Sequence, residues 1–83
     1  MHKHDIQQRL KQAFAPCSLE VIDESDQHLG HAGHQGGGRH FAVIIKAQCF
    51  QGLSRVAIHR QIYALFAEEM PEQLHALRIQ VLQ

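Results

Sequence analysis

The stretch HFAVIIKA, residues 40–47, constrains the fold of this chain more than any other feature. Apolar side chains occupy nearly every position in it. A strand with one face in solvent alternates apolar and polar residues, whereas a strand in the centre of a sheet is apolar almost throughout. Residues 40–47 are therefore predicted to form a central strand, and the rest of the chain has to supply its neighbours.

Two alternating segments predict those neighbours. In SLEVID, residues 18–23, Leu19 and Val21 share one face and Glu20 takes the other, which indicates a short strand. The segment LHALRIQVL, residues 74–82, predicts a third strand. Its apolar face consists of Leu77, Ile79 and Val81.

A first helix is predicted near the start of the chain. Asp5 is a residue type that caps helices, and Pro16 ends the pattern because proline cannot continue a helix. The apolar residues between them recur at helical spacing. They are Ile6, Leu10, Ala13 and Phe14.

A second helix is predicted after the turn CFQGLS. Ser54 is a suitable cap for it, and the helix should fade near Glu69 because Pro71 disfavours helix in the residue before it. A short further turn of helix is expected around residues 69–73. The apolar stripe of the second helix consists of Val56, Ile58, Ile62, Leu65 and Phe66.

These elements predict one α+β domain over residues 1–83, in the order α-β-β-α-(α)-β. Strands one and two should pair antiparallel. Strands two and three are joined through a helix, so they should pair parallel, and both helices should cover one face of a three-stranded mixed sheet. Residues 1–4 are expected to fray, and residues 25–39 to form a flexible loop of glycine and histidine.

The composition limits the class of protein. No apolar run approaches a membrane span, no signal peptide is evident, and a cytoplasmic location is expected. The two cysteines, Cys17 and Cys49, are far apart and form no C-x-x-C. In a reducing compartment we expect them to be buried thiols rather than a disulfide.

The formal net charge is zero with histidines neutral, so a strong general attraction to phosphate is not expected. The charges are nevertheless uneven, because residues 39–67 contain basic residues and no acidic one. This run is either a solvated surface or a basic face for an acidic partner or nucleic acid. Its basic residues are Arg39, Lys46, Arg55 and Arg60.

Eight histidines are the compositional outlier, and four of them lie in HLGHAGHQGGGRH, residues 28–40. His28, His31 and His34 are spaced by three, but the glycines make a helix improbable there. In a loop, two of these imidazoles could reach one metal ion. The spacing alone is a weak signal, and a solvated loop with incidental metal affinity is the alternative.

His75 opens the third strand, on the face assigned to the core. It is either a histidine at the rim of the core or a metal ligand held on a rigid element. One ligand from the loop and one from the strand would leave the coordination shell of a metal ion incomplete, so another molecule would have to supply the remaining donors. The remaining histidines are expected to be structural, surface or terminal groups: His2, His4, His40 and His59.

Several pieces of the sequence together resemble the BolA family. They are LEVIDES leading to His28, then HFAVII, FQGLSRVAIHRQIY and LHALRI, in the family's order over about residues 5–82. The resemblance implies an α-β-β-α-α-β fold similar to the class II KH domain. The chain departs from many members at Ile58, where they carry the first arginine of R-H-R.

The resemblance also implies a partner and a cofactor. Family members bind monothiol glutaredoxins, and such pairs can share a [2Fe-2S] cluster whose thiol ligands come from the glutaredoxin and glutathione. Carried over to this sequence, the histidine ligands would be His75 and His28, with His31 and His34 as competitors, in a histidine-type loop. No cluster is expected in the isolated chain. The implied role is an adaptor in iron-sulfur cluster trafficking or iron sensing.

Two other functions stay open. The first is a DNA-binding transcriptional regulator that uses the basic face around the second helix, because some family members are described as transcriptional regulators. The second is a stand-alone metal buffer. An enzyme is not expected, because the sequence shows no set of nucleophile, base and orienting group, no paired carboxylates in a plausible cleft and no phosphate-binding loop.

Overall fold

The computed structural model describes residues 2–24, 40–70, 74 and 76–82 of this chain. Its elements follow the predicted order α-β-β-α-β, with a short 3-10 turn after the second strand. The bounds are α1, Lys3–Phe14; β1, Cys17–Asp23; β2, His40–Ala47; the 3-10 turn, Gln48–Phe50; α2, Arg55–Leu65; and β3, Ala76–Val81.

The three strands form one sheet in the order β1-β2-β3. The apolar strand β2 is therefore central, as predicted, and its bounds match the predicted segment. It pairs antiparallel with β1 and parallel with β3, which confirms both predicted pairings. Cys17 lies opposite Ala47, while His40 lies opposite Ala76. These two pairs mark opposite ends of the central strand, and we call them the Cys17 end and the His40 end of the sheet.

Both helices contribute to one hydrophobic core, which lies on the face of the sheet that carries the odd-numbered strand residues. Burial of this apolar surface is the main stabilising force in so small a domain. Two residues of the predicted helix stripes are not part of the core. Ala13 is exposed, and the Val56 side chain is 61% exposed, because each lies on the solvent side of its helix. The largest fully buried side chains are Phe41, Phe50, Phe66, Ile6, Leu10, Ile45, Ile58, Ile62, Leu74, Val21 and Val43.

The first helix starts earlier than predicted. Its N-cap is His2 rather than Asp5, and Lys3 and His4, which were expected to fray, form part of its first turn. Asp5 is the third residue of α1, and its carboxylate accepts a hydrogen bond from the His2 backbone N–H at 2.8 Å. A carboxylate in the first turn satisfies a helix N-terminus from this position as well as from the cap. This hydrogen bond also lowers the pKa of Asp5.

The second helix is capped as predicted: the Ser54 hydroxyl oxygen accepts a hydrogen bond from the Ala57 N–H at 3.1 Å. The helix ends at Leu65, four residues before the predicted end near Glu69. Residues 66–70 form turns. The further helical turn predicted around residues 69–73 falls partly on residues 71–73, which lie outside the described residues.

Candidate metal centre

The predicted metal ligands His28, His31, His34 and His75 all lie outside the described residues, but the residues that border them are described. Glu24 and His40 border the histidine-rich segment 25–39. The Glu24 N–H donates a hydrogen bond to the His40 carbonyl oxygen at 2.8 Å, so the segment leaves and rejoins the sheet at one place.

The start of β3 lies at that same place. Ala76, which follows position 75 directly, is the register partner of His40 on the central strand. The two chain regions that carry the predicted ligands are therefore attached at one end of the sheet, the His40 end.

An ion pair joins the two regions across the central strand. Arg78 Nη2 lies 2.6 Å from Glu24 Oε2, and the Glu24 side chain is only 16% exposed. The residue of β2 between them is Ala42, the register partner of Arg78. Because alanine is small, the arginine can extend across β2 to the end of β1. The hydrogen bond to the Glu24 carboxylate also raises the pKa of the Arg78 guanidinium.

The backbone on both sides of position 75 is held by hydrogen bonds. Before it, the Leu74 N–H donates to the Glu69 carbonyl oxygen at 3.0 Å, and the Leu74 side chain is fully buried. After it, the Tyr63 hydroxyl donates to the Leu77 carbonyl oxygen at 2.7 Å. The described residues on either side of position 75 are therefore anchored to the rest of the fold.

The turn that leads from α2 towards β3 is fixed by Arg9 of α1. Its guanidinium donates to the Leu65 carbonyl oxygen at 2.9 Å and to Glu69 Oε1 at 2.6 Å. It also lies 5.2 Å from the centre of the Phe66 ring, a cation–π contact. The hydrogen bond from Arg9 lowers the pKa of the Glu69 carboxyl below its usual value.

The charges near the His40 end are thus compensated. Glu24 is paired with Arg78 and Glu69 with Arg9, so both carboxylates already have a cationic partner. Within the described part of the chain, no three histidine, cysteine, aspartate or glutamate side chains come together as a complete metal site. The described residues at this end thus form a structural scaffold, and they contain no finished ligand set.

Neither cysteine lies near this scaffold. Cys17 begins β1 opposite Ala47, and Cys49 lies in the 3-10 turn that follows β2, so both lie at the Cys17 end. The seven residue steps along β2 from His40 to Ala47 correspond to about 23 Å. Both thiols are free, and the prediction that both are buried is wrong: Cys17 is half-buried and Cys49 is exposed. A thiolate ligand for a centre at the His40 end therefore has to come from another molecule.

The basic residues of the predicted nucleic-acid face do not form one stripe. Lys46, near the Cys17 end of β2, and Arg55, the first residue of α2, are both exposed. Arg60 is also exposed, but five residues along a helix place it about 140° around the axis from Arg55. The fourth residue of this predicted face, Arg39, lies outside the described residues.

The sequence did not reveal the contacts that organise the His40 end. Glu24 and Arg78 are 54 residues apart, and Arg9 and Glu69 are 60 apart. No local pattern pairs such distant charges. Glu24 and Glu69 are at least close to predicted element boundaries, whereas Arg9 and Arg78 lie within predicted elements. In the described part of the chain, no helix has the length and apolar character needed to cross a bilayer.

Comparisons with known proteins connect this scaffold to a family. The family model described as BolA-like protein matches residues 10–83. In Escherichia coli (strain K12), the DNA-binding transcriptional regulator BolA is 38% identical over 79 residues, covering 95% of this chain and 72% of that protein.

Two solved structures from Arabidopsis thaliana share the fold. BolA1 superposes with a TM-score of 0.80 at 36% identity, covering 98% of this chain and 89% of that chain. The BolA domain of SufE1 gives 0.79 at 42% identity, covering 95% and 87%. The match to SufE-like protein 1 spans only 21% of that longer protein.

The names of these relatives describe regulators and BolA-like proteins rather than enzymes. Both the strand order and the helix arrangement found here are those of the solved BolA structures. With a family model matched over most of its length, this chain belongs to the BolA-like protein family.

Proposed function

We propose that this chain is an adaptor that binds a monothiol glutaredoxin and shares a bridging [2Fe-2S] cluster with it, in iron-sulfur cluster trafficking or iron sensing. The observation that carries the proposal is the separation of donor types within the fold. The histidine-bearing regions are attached at the His40 end, whereas both cysteines lie at the Cys17 end. A centre at the His40 end would take imidazoles from this chain and thiolates from a partner.

The donor chemistry fits such a shared cluster. His75 and His28 would supply nitrogen ligands, with His31 and His34 as alternatives to His28. The glutaredoxin cysteine and a glutathione thiol would supply sulfur. Mixed histidine and cysteine ligation of a [2Fe-2S] cluster is known chemistry, and histidine ligands raise its reduction potential. The occurrence of a BolA domain within SufE1 is consistent with an iron-sulfur context.

Co-expression with a monothiol glutaredoxin and glutathione tests the proposal. The purified heterodimer should show a visible absorption spectrum that differs from that of the glutaredoxin homodimer, whereas the chain alone should be colourless. His75→Ala should remove the difference and His28→Ala should weaken it. His4→Ala is the matched control, since His4 is exposed in the first turn of α1. A wild-type heterodimer without a cluster, or a heterodimer whose spectrum is unchanged by His75→Ala, would refute the proposal.

A DNA-binding transcriptional regulator is the second candidate. It is favoured by the printed name of the E. coli relative and by the exposure of Lys46, Arg55 and Arg60. If it is correct, the isolated chain should bind a DNA fragment without glutaredoxin. The logarithm of its affinity should fall with the logarithm of salt concentration, at a slope set by the number of phosphates contacted. Loss of binding in Arg55→Gln with a shallower slope would support this candidate over the first.

A further inference from the structure

The structure contains a groove at the Cys17 end, far from the proposed metal centre. Its volume is about 750 Å³, within the size range of ligand sites in proteins. It lies where β1 begins, where β2 ends and where the turn before α2 passes. Residues that line it include Pro16, Ser18, Lys46, Ala47, Gln48 and Gln51.

Charge is the first property that indicates what the groove accepts. Lys46 is exposed in its wall, and none of the described lining residues is acidic. Lys46 also forms no ion pair within the described part of the chain, unlike Arg9 and Arg78. Arg55, three residues beyond the lining residue Gly52, adds a second exposed cation near this end.

Most acidic residues of the described part of the chain lie elsewhere; the exception is Glu20, which is exposed midway along β1 and diagonal to Lys46 in the sheet. Asp23 and Glu24 lie where β1 ends, at the His40 end. Glu69 is linked by its backbone to Leu74, two residues before β3 starts at that end. Apart from Glu20, these carboxylates lie towards the His40 end, whereas Lys46 lines the groove and Arg55 lies near it, each without an ion pair to another described residue. Such a distribution attracts an anionic ligand to the groove.

The other lining groups specify the ligand further. Gln48, Gln51 and Ser18 offer amide and hydroxyl groups that can both donate and accept hydrogen bonds. These groups match the N–H and C=O groups of a peptide backbone, while Pro16 and Ala47 supply apolar contacts. No aromatic residue lines the groove for stacking a base, and two cations are few for tracking a phosphate backbone.

We propose that this groove binds a short acidic peptide segment of a partner protein, with Lys46 as the main charge contact. The proposal concerns a surface at the opposite end of the sheet from the proposed metal centre and does not depend on that centre. A chain with both surfaces could hold a glutaredoxin at one end and an acidic segment of a second protein at the other.

Fluorescence anisotropy on the full chain tests this proposal. The probe is a labelled ten-residue peptide in which Asp and Glu alternate with Leu. Its comparators are the same peptide with Asn and Gln at the acidic positions and a labelled single-stranded DNA of ten nucleotides. The acidic peptide should bind more tightly than either comparator.

Two variants make the test specific to the groove. Lys46→Gln should weaken peptide binding about three- to fivefold, the range of one partly exposed ion pair. Ser18 is the register partner of Lys46, so Ser18→Glu should place a carboxylate beside the lysine and weaken binding at least as much, whereas Ser18→Gln should not. Lys3→Gln is the matched control, because Lys3 is exposed at the start of α1.

Amide chemical shifts provide a second measurement that does not depend on affinity alone. The acidic peptide should shift the resonances of Ser18, Lys46 and Gln51 rather than those of Glu24 and His40. Three results would overturn the proposal. They are equal binding of the neutral and acidic peptides, an affinity for the acidic peptide that is unchanged by both Lys46→Gln and Ser18→Glu, and tighter binding of the DNA at the same residues. His75→Ala should leave peptide binding unchanged, so failure here is distinct from failure of the cluster proposal.

Discussion

Removing one hydroxyl group, in Tyr63→Phe, tests how the start of β3 is held. The Tyr63 hydroxyl donates to the Leu77 carbonyl oxygen at 2.7 Å and so ties α2 to the strand that position 75 precedes. The phenylalanine ring fills the same space, so no cavity forms. The change therefore isolates the hydrogen bond.

The structure sets the size of the effect. A net protein hydrogen bond contributes about 0.5–1.5 kcal/mol, and the cost rises when a buried acceptor is left unpaired. The bond here is partly buried and the Tyr63 side chain is 38% exposed, so water can reach the carbonyl in part. We expect a loss of about 1 kcal/mol in the free energy of unfolding. For a domain of this length that corresponds to a fall in Tm of about 4–8 °C.

Urea unfolding followed by circular dichroism measures this loss, with the m-value expected to stay constant. Amide hydrogen exchange should also become faster at the start of β3 than in β1. Val56→Ala is the control on the same helix, because Val56 is 61% exposed and should have almost no effect. A Tyr63→Phe variant as stable as Val56→Ala, or one with an altered m-value, would refute the reasoning.

Three further predictions concern the core, a cap and an ion pair. Ile62→Ala should cost about 2–5 kcal/mol in urea unfolding, because Ile62 is fully buried and its truncation leaves a cavity; a cost below 1 kcal/mol would contradict its place in the core. Ser54→Ala should cost about 1 kcal/mol by removing the cap bond to the Ala57 N–H, and Ser54→Asp should retain most of the stability. Arg9→Gln should raise the pKa of Glu69 towards its usual value, measured by NMR titration of the side-chain carboxyl carbon. Because the pKa of Glu69 is lowered in the folded state, its ion pair stabilises the fold above the usual glutamate pKa, and this stabilisation is lost as the pH falls through the folded pKa. The difference in unfolding free energy between wild type and Arg9→Gln should therefore shrink in acid. A difference that stays constant with pH would contradict the ion pair.

Much of the fold could be predicted because its signals are local. An apolar run bounded by His40 and Ala47 indicates a central strand wherever the rest of the chain lies, and the strand pairings follow from the lengths of the connections. The errors arise where a local rule permits two outcomes. A carboxylate at Asp5 serves a helix start from the cap or from the first turn. An apolar side chain such as Val56 remains in solvent when it lies on the outer side of its helix.

The candidate site could be predicted only in part. The sequence supplied the residue types for ligands, and the fold brings the two bordering regions to one end of the sheet. What the sequence could not show are the contacts that hold this end together, from Glu24 to Arg78 and from Arg9 to Glu69. These depend on tertiary structure, because each joins residues more than fifty positions apart.

In the proposed function, imidazole nitrogens of this chain complete an iron site with a partner's thiolates. Pulsed electron paramagnetic resonance of the reduced heterodimer tests it most directly, with ¹⁵N-histidine incorporated only into this chain. We expect strong ¹⁵N hyperfine coupling to the cluster, with the contribution of one ligand lost in His75→Ala and retained in His4→Ala. A cluster-bearing heterodimer with no ¹⁵N coupling from this chain, or with coupling unchanged in His75→Ala, would contradict it.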